Sequence, residues 1–134
     1  MTDFAQVPLP RPTALSQPFW DAANEGRLIL QRCGACGVYR WTPQILCTAC
    51  LSEEFSWEEV SGRGTLYSYT IVHRAPLAAF ETPYVLATVE LEEGPLMLTQ
   101  IVESAHERLA VDAPVEVAFT RANEAINLYT FRLS

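Results

Sequence analysis

The chain has 134 residues, 49% of them hydrophobic and 19% charged, with a formal net charge of −7. This length fits one compact domain, or a small domain joined to a metal-stapled knuckle; with no apolar run long enough to span a bilayer and no charged-then-apolar leader, a cytoplasmic location is expected. The acidic surface repels a phosphate backbone and so counts against a dedicated nucleic-acid binder, while the absence of any lysine among the 9 basic residues excludes a Schiff-base or acyl-lysine mechanism.

In chain order, Pro8, Pro10 and Pro12 make residues 1–15 an extended, flexible arm. Ser16 reads as an N-cap ahead of Pro18. Phe19, Trp20, Ala23 and Leu28 give a helix-like apolar stripe that Gly26 ends, which predicts a short helix from Gln17 to Glu25. Arg27 to Arg32 reads as a strand entering Cys33, and Glu53 to Glu59, with Phe55 and Trp57 alternating, as a half-buried strand. Thr65 to His73 is rich in β-branched and aromatic residues and predicts the first long strand. A loop from Arg74 to Pro83 follows, then strands at Tyr84 to Leu91 and Leu96 to Val102 around a Glu92-Glu93-Gly94-Pro95 turn. Ser104 to Leu109 reads as a short helix or loop, and Val115 to Thr120 and Asn127 to Leu133 as the last two strands. The expected protein is mainly β. A helix and metal ribbon occupy 16–59, and a five-stranded closed barrel of OB-fold rhythm occupies 60–134.

The four cysteines, Cys33, Cys36, Cys47 and Cys50, form two C-x-x-C knuckles separated by ten residues. Two such knuckles bring four thiolates into the tetrahedron that zinc takes in closed structural sites. One structural Zn2+ per chain is therefore expected. Iron in a rubredoxin-type site uses the same ligands. A redox dithiol would require a C-x-x-C opening a long helix, and two disulfides would require an oxidising compartment. Four protein ligands leave no position for a reactive water, so the metal is expected to stabilise rather than catalyse.

Little else points to catalysis. His73 ends a predicted strand and His106 lies in a polar connector. Glu53-Glu54 and Glu92-Glu93 are adjacent pairs that suit solvated charge. There is no nucleophile elbow and no P-loop spacing.

The segments Ser16-Gln17-Pro18-Phe19-Trp20, Glu25-Gly26-Arg27-Leu28, Gln31-Arg32-Cys33-Gly34-Ala35-Cys36-Gly37, Cys47-Thr48-Ala49-Cys50 and Gly62-Arg63-Gly64-Thr65-Leu66-Tyr67-Ser68-Tyr69-Thr70 carry a resemblance. So do Pro83-Tyr84-Val85-Leu86-Ala87 and Leu91-Glu92-Glu93-Gly94. In this order they resemble the zinc-ribbon/OB-fold family of acyl-CoA-associated accessory proteins, long catalogued as a domain of unknown function. The resemblance covers nearly the whole chain after the arm. It implies an N-terminal helix, a rubredoxin-like ribbon and a C-terminal OB-fold. It also implies a thiolase-like, aldolase or hotdog-fold hydratase partner in a hetero-oligomer, with the barrel helping to hold or channel a CoA thioester. The family usually has a glycine before the fourth barrel strand; here Val111-Asp112-Ala113-Pro114 stands there.

For such a thioester, Arg63, His73 and Arg74 are candidates for its phosphates, and Phe80 and Tyr84 for its adenine. Phe19 and Trp20 suit either the core or a docking face for a partner. The function expected is a non-catalytic subunit of an acyl-CoA-processing complex. The alternatives are a single-stranded nucleic-acid-binding OB-fold and an iron electron carrier.

Overall fold

The computed structural model describes residues 3–134. Helix α1 spans Gln17–Asn24, with Pro18 in its first turn. Ser16 does not cap it through its side chain. Its hydroxyl instead accepts from the Thr13 amide at 2.9 Å, while the Ser16 amide donates to the Thr13 hydroxyl at 3.1 Å. The helix stops one residue short of Glu25. Gly26, at φ +77°, lets the chain turn back so that the amides of Gly26 and Arg27 reach the carbonyls of Ala23 and Ala22.

A three-stranded antiparallel sheet follows, built from β1 (Ile29–Cys33), β2 (Tyr39–Arg40) and β3 (Phe55–Glu59) in the order β2-β1-β3. β1 starts two residues later than its composition suggests. β2 has two residues in the linker between the knuckles, too few for any periodicity to register.

The rest of the chain makes a closed five-stranded barrel and a side hairpin. The barrel strands are β4 (Arg63–Val72), β5 (Tyr84–Leu91), β6 (Leu96–Ile101), β7 (Pro114–Val117) and β10 (Phe131–Leu133). The hairpin is β8 (Thr120–Arg121) with β9 (Asn127–Leu128). The barrel order is β10-β6-β5-β4-β7, closed by β10, which runs antiparallel to β7 and parallel to β6 at Phe131–Ile101. The two expected final strands are each split. Their outer halves pair with one another as the hairpin, and only their inner halves join the barrel. The connector before β7 holds a single 3-10 turn, His106–Arg108.

Alternation along β5 and β6 sends Val85, Ala87, Val89, Leu91, Met97 and Ile101 into the barrel, where they meet Leu66, Val115 and Phe131. This is the half-buried strand pattern expected of an antiparallel sheet around one core. Helix and ribbon join the barrel through an aromatic cluster. Phe19, fully buried, packs at 4.4 Å from Trp41 of the ribbon linker and 5.6 Å from Tyr129 of the barrel end, with Trp20 edge-on at 5.0 Å. Two asparagine amides reinforce the seam. Asn24 donates to the Ala125 carbonyl at 2.9 Å and accepts from the Asn127 amide at 2.8 Å, and the Asn127 side chain donates to the Ala23 carbonyl at 3.0 Å. The arm lies against the barrel: the Asp3 amide donates to the Ala79 carbonyl at 2.8 Å, and Leu9 packs on the core.

Candidate metal centre and adjoining cavity

Each knuckle is a tight backbone turn. In the first, at the end of β1, the Cys33 amide donates to the Val38 carbonyl and the Gly37 amide to the Cys33 carbonyl. In the second, the Cys47 amide donates to the Ser52 carbonyl and the Leu51 amide to the Cys47 carbonyl. The residue after each second cysteine takes a positive φ, +78° at Gly37 and +65° at Leu51. Glycine does this freely; leucine does so with a steric penalty.

The turns bring all four Sγ atoms within 4.8 Å of one another, with Cys33–Cys50 at 3.5 Å and Cys36–Cys47 at 3.6 Å. A tetrahedral metal with bonds of about 2.3 Å to sulfur sets its ligands about 3.8 Å apart, so the cluster has the right size. None of the sulfurs is in a disulfide. The Cys36 and Ala35 amides both point at the Cys33 sulfur at 3.4 Å, and they draw its thiol down to about 6. The amides of Cys50 and Ala49 lower Cys47 in the same way. Cys50 is pushed up to about 12: the Ser52 amide favours its thiolate, but the neighbouring sulfurs, Cys33 foremost, and burial outweigh that. Four sulfurs this close can ionise together only around a cation, and the soft tetrathiolate set fits Zn2+. When bound, the metal supplies structural cross-linking. The ribbon residues orient the ligands, and the four-sulfur shell leaves no site for water.

Of the five candidates for the thioester, Arg63 stands apart from the other four. Arg63 starts β4 and pairs with Glu92 at 3.2 Å, while Glu93 accepts from the Ser61 amide at 3.0 Å. His73 and Arg74 follow the opposite end of the ten-residue β4, roughly 30 Å away at the usual rise of a strand. Phe80 and Tyr84 do meet, stacked at 5.7 Å, beside the end of β4 where Val72 pairs with Tyr84. Phe19 has no exposed surface and Trp20 only 8%, so both are used in packing the ribbon on the barrel.

A feature that residue types alone did not reveal is a cavity of about 630 Å3 between the arm and the outside of the barrel. Leu9, Trp20, Phe80, Leu98, Tyr129 and Arg121 are among its walls. The available signal was the outward-facing leucines Leu86, Leu96 and Leu98 on strands whose solvent side should be polar; Leu86 and Leu98 line the cavity.

Residues 20–56 match the family described as ChsH2, rubredoxin-like zinc ribbon domain, and residues 57–120 match ChsH2, C-terminal OB-fold domain. The chain is 38% identical over 125 residues to a probable enoyl-CoA hydratase alpha subunit of Thermomonospora curvata, covering 92% of this chain and 39% of that protein. It is 39% identical over 100 residues to a DUF35 domain-containing scaffold protein of Methanocaldococcus jannaschii, covering 72% of this chain and 70% of the relative. A solved chain of the Ltp2-ChsH2(DUF35) aldolase superimposes with a TM-score of 0.84 at 35% identity, covering 93% of this chain and 98% of that one.

Proposed function

Because this chain belongs to the DUF35 family, in which a ChsH2-type zinc ribbon precedes an OB-fold domain, we propose that it is a non-catalytic accessory subunit of an acyl-CoA-processing enzyme. The observation that carries this reading is the near-complete match to a chain of the Ltp2-ChsH2(DUF35) aldolase. The hydratase subunit it resembles is much longer, and this chain spans 39% of it. The partner proposed here is a hydratase, aldolase or thiolase-type protein, and the role of this chain is to bind that enzyme and help position its thioester substrate.

The chemistry of the chain suits a scaffold. The tetrathiolate clasp is closed to substrate. Arg63 lies at the other end of β4 from His73 and Arg74, so the candidate phosphate contacts are not one cluster. A single-stranded nucleic-acid role fits less well. The chain carries −7, and Arg27, Arg32, Arg63 and Arg132 are held in ion pairs with glutamates.

Affinity purification of the chain from its native host tests the proposal. A hydratase, aldolase or thiolase-type enzyme is expected to co-purify in fixed ratio, its activity falling when this chain is removed. Repeated recovery of the chain alone, or tight salt-sensitive binding to single-stranded DNA in a gel shift, would overturn it.

A further inference from the structure

Large apolar side chains stand exposed at the metal end of the ribbon. Val38, Ile45, Leu46 and Leu51 each lie within two residues of a cysteine ligand, and the four sulfurs are within 4.8 Å of one another. At 72% and 68% exposure, Leu51 and Ile45 are the most exposed large apolar side chains among the described residues. Leu51 is unfavourable to folding in two ways. It meets water, and it holds φ +65°, the left-handed conformation that the first knuckle gives to Gly37. Neither serves the metal, because a glycine would close the turn with the same amide that Leu51 donates to the Cys47 carbonyl. A strained and exposed side chain at this position points to a task outside the folded chain.

The loop that carries Ile45 and Leu46 is anchored from behind. Gln31, buried on β1, accepts through Oε1 from Arg40 Nε and from the Gln44 amide, both at 2.8 Å, and Arg40 Nη2 donates to the Gln44 carbonyl at 2.9 Å. Arg40 is itself buried, with its guanidinium over the Phe55 ring. These bonds fix the backbone at Gln44, so Ile45 and Leu46 are presented on a stiff loop that loses little freedom when a partner covers it. The charge at this end has one sign. Residues 41–54 include no arginine, and Glu53 and Glu54 are both exposed, with neither in an ion pair among the described residues. Four thiolates around Zn2+ leave a further negative charge. Two copies of such an end repel one another, which argues against self-association here. The complementary face is apolar at its centre and basic at its border.

We propose that the metal end of the ribbon is the surface by which this chain docks on its partner enzyme. Leu51, Ile45 and Leu46 are the apolar anchors, and Glu53 and Glu54 the acidic rim. The matching face of the enzyme is an apolar socket bordered by arginine or lysine. The inference rests on the accessory-subunit reading and adds to it the place where the two proteins meet. The closed four-sulfur shell then holds the anchors stiff as well as stabilising the fold.

The probe is the enzyme that co-purifies with the wild-type chain, identified by its hydratase, aldolase or thiolase activity. Its affinity for the full, zinc-loaded chain is measured by biolayer interferometry over a range of salt. Leu51→Gly is expected to leave the urea midpoint of the free chain unchanged or to raise it, and to weaken binding about tenfold or more. Leu51→Asn, which suits the same backbone conformation, and Ile45→Ser are expected to weaken it similarly. Reversing the rim with Glu53→Arg and Glu54→Arg is expected to slow association, and to make added salt speed it where salt slows the wild type. Val111→Ser, exposed on the turn before β7, is expected to leave binding unchanged. Metal content and circular dichroism check that each variant is loaded and folded. If no such enzyme co-purifies, the accessory-subunit reading fails and this surface with it. The docking surface alone fails if the recovered enzyme binds the Leu51 and Ile45 variants as tightly as wild type, loses as much affinity with Val111→Ser, or ignores the charge reversal. A lower urea midpoint in Leu51→Gly would show the leucine serving the fold and would likewise overturn the proposal.

Discussion

The Asp112 amide donates to the Leu66 carbonyl at 2.8 Å while Asp112 itself sits at φ +70°, and the Leu66 amide returns a bond to the Ala113 carbonyl at 2.9 Å. This turn leads the chain into β7. Aspartate makes the left-handed turn a glycine would make, so the entry to β7 is preserved at a cost in backbone strain. Asp112→Gly is expected to stabilise the protein by about 0.5 kcal/mol, the relieved strain being partly offset by the freer unfolded chain. A higher urea midpoint at unchanged slope would show it.

Gly64 behaves in the opposite way. A Cβ there would lie 2.2 Å from the Glu90 carbonyl oxygen of the paired strand, and backbone cannot move aside as a flexible side chain can. Gly64→Ala is expected to cost about 3 kcal/mol or more by forcing β4 from β5. Thermal melting followed by circular dichroism measures this.

Metal analysis of the purified chain is expected to give one zinc per chain and a colourless solution. Cys33→Ser or Cys47→Ser removes a buried ligand, and metal binding to such a site is worth on the order of 10 kcal/mol to folding. These variants are expected to lose zinc and become insoluble or partly unfolded, as read by metal content and near-ultraviolet dichroism.

Glu92 tests the electrostatics of the far barrel end. Its hydrogen bond from Arg63, with a second from Ser61, holds its carboxyl below the usual carboxylate range. A depressed folded value stabilises the protein above the unfolded carboxylate range, and this contribution is lost as pH falls through the folded value. Both partners are exposed, so the effect on stability is small. NMR titration is expected to show Glu92 with a low midpoint that rises in Arg63→Ala while other glutamates stay put.

Phe19 lies at the centre of the aromatic cluster and is fully buried. Phe19→Ala is expected to cost about 3–5 kcal/mol in folding stability, with the loss seen in the isolated chain by denaturant unfolding. A loss of partner binding at unchanged stability would instead make it a docking residue.

The metal site was legible because spacing alone specifies it: two C-x-x-C turns have few uses other than holding four sulfurs together. β5 was legible to the residue, since Tyr84–Leu91 alternates cleanly between core and solvent. The arrangement at the end of the chain was not. Thr120 and Asn127 continue the β character of their neighbours, and only tertiary pairing separates the hairpin from the barrel strands. Ser16 has the residue type of a cap, but Thr13 competes for its hydroxyl. The cavity escaped sequence reading because it depends on an arm folding back over strands about eighty residues away, which no local pattern encodes.

The paired amides of Asn24 and Asn127 tie helix α1 to the side hairpin, and the Phe19 ring ties the same helix to Trp41 of the ribbon linker. Turning the helix against the barrel would strip these hydrogen bonds and expose the Phe19 ring to water. Whatever fixes helix α1 therefore also sets which way the space under Leu9 faces, since Trp20 of that helix is one of its walls.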